Sequence, residues 1–399
     1  MAITDKKVGP WGLDQVYNKI NQGSIWIYQE PSTLWAWGTN NYGQSGDNTT
    51  IERSSPVQVS ALTTWKFPNG ATGGGGGMFA INESNELWAW GNNTKGQLGQ
   101  GSAGTPTRRS SPVQVGSGTD WSVVSNSYGE SVMAIKTDGT MWGWGDGSYG
   151  SLAQGSAAKD SFSSPIQIPG TTWRNVCGSV SSAFHWLATK TDGTLWGWGY
   201  NDSGSLGNNE NTNYKSSPVQ VPGTDWAEGQ NKLAAAMQTS AAIRTDGTLW
   251  TFGRNDYGML GQNAGAPAMR SSPIQIPGSN WDSVSGHNHA FLARKTDGTL
   301  WAWGRNNNGE LGQNSQVDYS SPVQIPGTDW MSIQIQGGWN SGFFMIKTDN
   351  TLWVMGRGEQ GGMGINENNA MRSSPVQIPG TWNKVTGKVY GALALRQAS

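Results

Sequence analysis

Three histidines, one cysteine and a run of five glycines are the first places in this 399-residue chain to which chemistry could be assigned. His287 and His289 form a His-x-His pair, a spacing that can bring two imidazoles to one ion, but a metal site needs a third and a fourth ligand and only Asp282 stands near. His185 is isolated, so no metal is expected. The glycine run, residues 73–77, lacks the following Lys-Ser/Thr of a phosphate loop and precedes a strand pattern, which makes it a flexible corner. Cys177 is alone, which removes disulfides and cysteine-ligated zinc, and beside Val176 it reads as a small buried hydrophobe. Asp-Gly pairs recur at Asp138, Asp192, Asp246 and Asp297, each in a separate repeat, so they cannot approach to the ~5–9 Å of an acid/base pair and serve turn chemistry instead. With no nucleophile triad to assemble, neither enzymatic activity nor a cofactor is expected.

Composition narrows the partners. The chain carries 26 basic and 27 acidic side chains, 13% charged in all, with no basic stripe, which argues against nucleic acid. No apolar run approaches the ~20 residues of a membrane span, and residues 1–20 lack the apolar core of a signal peptide, so neither membrane insertion nor export is expected. The 23 tryptophans supply ample core, so the 58 glycines do not signal disorder.

Those glycines and tryptophans are periodic. Leu-Trp (once Met-Trp) opens a motif at Trp35, Trp88, Trp142, Trp196, Trp250, Trp301 and Trp353, at intervals of 53, 54, 54, 54, 51 and 52 residues. Ser-Ser-Pro-(Val/Ile)-Gln recurs seven times, from Pro56 to Pro375, and a further tryptophan follows each of these prolines, from Trp65 to Trp382. Within one interval, 249–253, 272–276, 281–285 and 290–295 read as four short strands, here named a, b, c and d, and the Asp-Gly of 296–299 closes a d-to-a hairpin. Asp349-Asn350 replaces it once, and Asn also accepts the left-handed conformation. Seven four-stranded units without helices predict an all-β fold, a seven-bladed β-propeller over residues 34–399 preceded by an arm, 1–33.

The long a-to-b link reads as the crossing between blades, which would make a blade from b, c, d and the next a. The ring then closes by pairing the N-terminal strand 34–38 with the C-terminal strand 392–396, and 24–29 is left as an extra strand of the arm. Antiparallel order puts the short b-to-c and d-to-a turns on one face and the variable a-to-b and c-to-d loops on the other. Loops on a rigid scaffold carry recognition, so the variable face is the expected partner-binding face, with Tyr42, Tyr128, Tyr149, Tyr200, Arg254, Tyr257, His287, His289, Arg305, Trp339 and Tyr390 as candidate anchors.

The string from Gly193 to Gly207, Gly-Thr-Leu-Trp-Gly-Trp-Gly-Tyr-Asn-Asp-Ser-Gly-Ser-Leu-Gly, resembles the repeat of the regulator of chromosome condensation family. The resemblance spans roughly residues 34–396 and implies the same seven-bladed propeller. It does not carry the nucleotide-exchange activity of the founding member, and other members resemble pure binding platforms, a bacterial inhibitor of β-lactamases among them. In the arm, residues 13–20 read as one short helix with Trp11, Leu13, Val16, Tyr17 and Ile20 as an apolar stripe able to dock on another protein or on the propeller's own edge. Its Gly-Pro-Trp-Gly-Leu-Asp-Gln-Val-Tyr, followed by Gly-Ser-Ile-Trp, resembles a short element of tail and other structural proteins of tailed bacteriophages. That resemblance implies a virion protein whose arm binds other virion proteins and whose loops bind a neighbour or a host surface protein or saccharide. The alternative is a soluble propeller that binds and modulates a protein partner.

Overall fold

The computed structural model describes residues 32–397 apart from 63, 70–75, 129, 156–159, 181–182, 230, 264–267, 337–341 and 389. The arm anchors Trp11, Leu13, Val16, Tyr17 and Ile20, the strand expected at 24–29, and Trp339 lie outside the described residues. The rest forms seven four-stranded antiparallel sheets. Blade 1 holds Trp65–Asn69, Gly77–Asn82, Leu87–Gly91 and Arg109–Gln114, and blade 2 holds Trp121–Asn126, Ser131–Lys136, Met141–Gly145 and Phe162–Ile168. Blades 3 to 6 repeat the plan, beginning at Trp173, Leu233, Trp281 and Trp330. Blade 7 joins Lys384–Lys388 and Gly391–Gln397 to Ser32–Gly38 and Arg53–Gln58.

Closure follows the expected route: the N-terminal strand pairs with the C-terminal one from Ser32 opposite Gln397 to Gly38 opposite Gly391. The composition of a blade does not. Each blade runs c, d, next a, next b from the centre outwards, with the c strands of neighbouring blades side by side. The a-to-b link therefore folds back within its own blade, and the crossing is the short b-to-c corner. Two local devices decide this. At the start of the a-to-b link an asparagine staples the loop: Asn40 Oδ1 accepts the Ser45 N–H (2.7 Å), and Asn93, Asn201, Asn255 and Asn306 do the same for Leu98, Leu206, Leu260 and Leu311 (2.9–3.0 Å). At the end of b, a Pro-Gly pair with glycine at positive φ (Gly170, 97°; Gly327, 108°) breaks the ladder and turns the chain to the next blade. Strand directions are the same under either grouping, so the division into a loop face and a hairpin face stands.

The core lies between blades rather than within them. Phe79, Ile81, Leu87 and Ala89 of blade 1 pack against Trp121, Val124, Val132, Ala134 and Trp144 of blade 2, and six further clusters fill the remaining boundaries. The d strands are buried on both faces, which is why Val132 to Ile135 reads as an unbroken apolar run. Five boundaries are also pinned by the second motif tryptophan, whose Nε1 donates to a loop carbonyl of the preceding blade: Trp37 to Gly362, Trp90 to Gln44, Trp144 to Gln97, Trp198 to Ser151 and Trp303 to Met259 (2.8–3.1 Å). Where Phe252 replaces it, Ser240 Oγ takes over and donates to the Ser205 carbonyl at 2.7 Å.

Candidate interaction face

The motif glycine roots the loop face. Gly199 has φ of 91° and sits at a register shift between strands a and b, and a Cβ there would fall on the Phe184 carbonyl oxygen. That close approach lets the next residue bond the c-to-d corner: Tyr200 N–H donates to Phe184 O (3.2 Å), and likewise Thr39 to Tyr390, Arg254 to Gln238 and Arg305 to His289 (2.8–3.0 Å). Both variable loops of a blade are thus laced together on one face.

One position of the a-to-b loop, just before its turn glycine, reaches over to the following blade. Tyr149 packs on Phe184 (ring centroids 4.9 Å) and edge-on to Tyr200 (5.5 Å). Tyr257 lies edge-on to His289 (5.0 Å) beneath the guanidinium of Arg305 (5.0 Å). Tyr42 receives Arg108 at 4.2 Å. In intervening repeats Lys95 makes the same crossing to Asp146 (3.6 Å) and Ser203 to Gln238 (2.9 Å). Tyr149 and Tyr257 are 45% and 44% exposed and hold left-handed backbone (φ 58° and 56°), a conformation uncommon for a bulky side chain and often found at recognition sites. Arg254, held by Asp256 (2.7 Å), stands between these groups in the chain. Phe184, Tyr149, Tyr200, Arg254, Tyr257, His289 and Arg305 therefore belong to consecutive blade boundaries from blade 2 to blade 5.

The remaining candidates divide. Tyr128 and Tyr390 are half-buried corner residues; burial and then the charge of Glu359 raise the Tyr390 hydroxyl. His287 is 1% exposed and packs edge-on to Phe343 of the next blade, so it serves the boundary and cannot meet a partner. His289 points to Tyr257 instead, so the His-x-His pair does not converge, and Asp282 is engaged by Arg294 and Lys232. Among the described residues no three His, Cys, Asp or Glu are grouped to hold a metal. Burial lowers His289 to about 4, with Arg305 adding, and His185, bonded through Nε2 to Ser240 Oγ (3.0 Å), is also lowered to about 4 by burial. Both imidazoles are neutral at pH 7. Burial pushes the Cys177 thiol up to about 11, and the Tyr200 hydroxyl rises to about 12 because it donates to Asp202 (2.5 Å). Phe184, Arg108 and Asp202 were missed in the sequence; the alternation of Tyr-Gly at 42, 149 and 257 was the available signal.

The hairpin face repeats one arrangement in five blades. Asp138 Oδ1 accepts the N–H and hydroxyl of Thr140, whose Oγ1 accepts Nε1 of Trp142 (3.1 Å), and the relay recurs from Asp192, Asp246, Asp297 and Asp349. Those threonine bonds hold all five carboxyls below the ordinary range. Beside each relay a basic side chain lies over two indoles: Lys190, for example, over Trp173 (4.5 Å) and Trp196 (4.3 Å). No helix of the described residues is long and apolar enough to cross a membrane.

Comparison with known proteins agrees with this architecture. The regulator of chromosome condensation (RCC1) repeat matches residues 84–134, 192–227, 246–293 and 297–345. The chain is 27% identical to the ultraviolet-B receptor UVR8 of Arabidopsis thaliana over 83% of its own length and 74% of the receptor's. It is 28% identical to the human E3 ubiquitin-protein ligase HERC2 over 51% of its length, but spans only 4% of that ligase. Prp20p of Saccharomyces cerevisiae, a protein with binding properties to Gsp1p and histones, superposes with a TM-score of 0.76 at 15% identity, covering 96% of this chain and 95% of Prp20p. The chain is a seven-bladed β-propeller, four stretches of which match the regulator of chromosome condensation repeat.

Proposed function

We propose that the protein is a non-enzymatic interaction protein that grips a partner with its loop face. The observation that carries this is the series of aromatic and cationic groups along the boundaries from blade 2 to blade 5, two of whose tyrosines are strained, exposed and supported from below. Tyrosine and arginine present large contact area at little entropic cost, and here their partners in the fold have already fixed their rotamers. The arm's resemblance to an element of tailed-phage structural proteins supports a place in a virion, with residues 1–33 attached to neighbouring virion proteins and the loops facing a neighbour or a host surface protein or saccharide. Replacing Tyr149 and Tyr257 together by serine is expected to reduce adsorption of particles to host cells at least tenfold while leaving the circular dichroism spectrum intact. Unchanged adsorption with an intact fold would sink receptor binding.

A second reading rests on the relatives. A receptor is similar to this chain in sequence and a protein with binding properties to Gsp1p and histones is similar in fold, which suits a soluble propeller that binds and modulates a protein. Fractionation separates the two: the virion reading expects the chain to sediment with purified particles, the second expects it in the soluble fraction.

A further inference from the structure

The residue after the motif glycine sets what the root of each variable loop offers. In three consecutive blades it is arginine: Arg254 in blade 4, Arg305 in blade 5 and Arg357 in blade 6. Two of these are neutralised by an acid two residues further on, Arg254 by Asp256 (2.7 Å) and Arg357 by Glu359 (2.6 Å). Tyr200 uses the same position and donates to Asp202 (2.5 Å). In blade 5 that position holds Asn307, whose Oδ1 is taken by Asn308 Nδ2 (3.1 Å). Arg305 keeps only the Tyr257 ring, 5.0 Å from its guanidinium, and among the described residues that guanidinium has no hydrogen-bond or ion-pair partner. The side chain is half-buried, yet none of its nitrogens is sealed from solvent. The other arginine stacked on a loop tyrosine, Arg108 over Tyr42 (4.2 Å), is engaged, since its Nε donates to Asn92 Oδ1 (3.2 Å). Acids in the same loop are committed elsewhere: Glu310 is 1% exposed and accepts the Asn308 N–H (2.7 Å), and Asp318 accepts the Asn306 N–H (2.7 Å). Apolar surface flanks the guanidinium, with Tyr257 44% exposed and Val317, 63% exposed, in the loop that starts at Arg305.

We propose that Arg305 is the anchor for a carboxylate of a protein partner, an aspartate or glutamate side chain, held by the guanidinium fork that Tyr257 keeps in plane and Asn307 leaves unpaired. This anchor presupposes that the loop face grips a partner, and it supplies that partner's chemistry. A guanidinium stacked on a ring presents its N–H edge in a fixed plane, which matches the two oxygens of a carboxylate and lowers the entropic cost of ordering the side chain on binding. Exposed apolar and aromatic groups beside the fork suit the side chains of a protein better than the hydroxyls of a sugar.

The test uses the full chain labelled with 15N-arginine, the Nε–H signal of Arg305 being assigned by its loss in Arg305→Lys. N-acetylglutamate N-methylamide, a blocked amino acid with one carboxylate, is expected to move this signal saturably with a dissociation constant on the order of 10 mM. The neutral glutamine analogue should leave it in place. Asn307→Asp supplies the acid that the two neighbouring blades have and should weaken the response several-fold, whereas Asn307→Ser should preserve it. The titrations of the unaltered chain keep the test decisive if a variant misfolds. The proposal fails if the glutamine analogue acts equally, if no saturable shift appears at concentrations on the order of 100 mM, or if folded Asn307→Asp responds like the parent. Should the methyl glycoside of glucuronate bind more tightly than the glutamate probe, the partner is an acidic saccharide and the assignment to a protein falls. Adsorption separates the anchor from the reading beneath it. If Tyr149→Ser with Tyr257→Ser abolishes adsorption but the glutamate probe does not move Arg305, the face grips its partner without a carboxylate and the anchor alone falls. If the probe binds and adsorption survives those replacements, the anchor stands and receptor binding falls.

Discussion

At Glu310 a turn is bought with an ionisable group where two other repeats use a neutral one. Its carboxylate accepts the Asn308 N–H (2.7 Å), the bond that Gln44 makes to Tyr42 (2.8 Å) and Gln97 to Lys95 (2.9 Å). Glu310 is 1% exposed, and burial raises its carboxyl to about 7. The folded state therefore holds a proton that the unfolded chain releases near its ordinary value, and the contribution of Glu310 to stability falls as pH rises from about 4.5 to 7. Glu310→Gln keeps the acceptor and removes the charge. It should raise the unfolding free energy measured in urea at pH 8 by an amount on the order of 1–3 kcal/mol, and have no benefit at pH 4.5; a gain that is equal at both pH values would refute the account. Histidine titration runs the other way in the same window: His185 and His289, lowered to about 4 by burial, take up protons near 6.5 once unfolded, so they raise stability from about pH 4 to 6.5, and the Glu310 effect is read from the difference between wild type and variant. The individual loop residues were only partly legible: Tyr149 and Tyr257 follow from the Tyr-Gly alternation, but His287 looked like a loop residue because nothing in the sequence marks that its strand extends two residues further, into the boundary with blade 6.

Among the elements, the d-to-a hairpin with its clamp is the repeated unit of stability. Lys190 pairs across the ladder with Trp173, and Trp196 arrives from the next strand, so one ammonium covers two rings that lie 23 residues apart in the chain. Lys190→Met should cost about 1 kcal/mol by losing the cation and keeping the stem, and Lys190→Ala about 1 kcal/mol more by uncovering both indoles. Equal losses in urea unfolding would reduce the clamp to apolar cover. Strand positions and hairpin turns were legible, because Asp-Gly and the period of two are local chemistry. The clamp was not, since register alone joins its members. Nor was the grouping of strands into blades: loop length suggested a crossing at the a-to-b link, whereas an asparagine staple folds that link back and a Pro-Gly pair sends the shorter corner across.

Taken as a whole, the ring depends on two chain segments more than 350 residues apart. Lys388, wholly buried beside the closing strand, donates to the Thr39 carbonyl (3.1 Å) and Ser45 Oγ (3.3 Å), tying the C-terminal part of blade 7 to its N-terminal part. Burial lowers its ammonium to about 7, against a small opposing pull from Asp47. Between about 7 and its ordinary value near 10.5 the unfolded chain binds a proton that the folded ring does not, so stability rises with pH across that window. Wild type should gain in urea midpoint from pH 7 to 9.5, and Lys388→Met should show a flatter profile; parallel profiles would mean that Lys388 does not titrate in the ring. The seven-blade count was plain from the intervals, and so was the seam, because the spare strands lie at the two ends of the repeat array. That seam has a mechanical consequence. Ser32 and Gln397 are opposite each other at the same end of one antiparallel ladder, so tension applied through both ends peels its bonds one at a time instead of shearing them together. A ring tethered by both ends would open at low force, while one hung from a single end would carry load as a closed body.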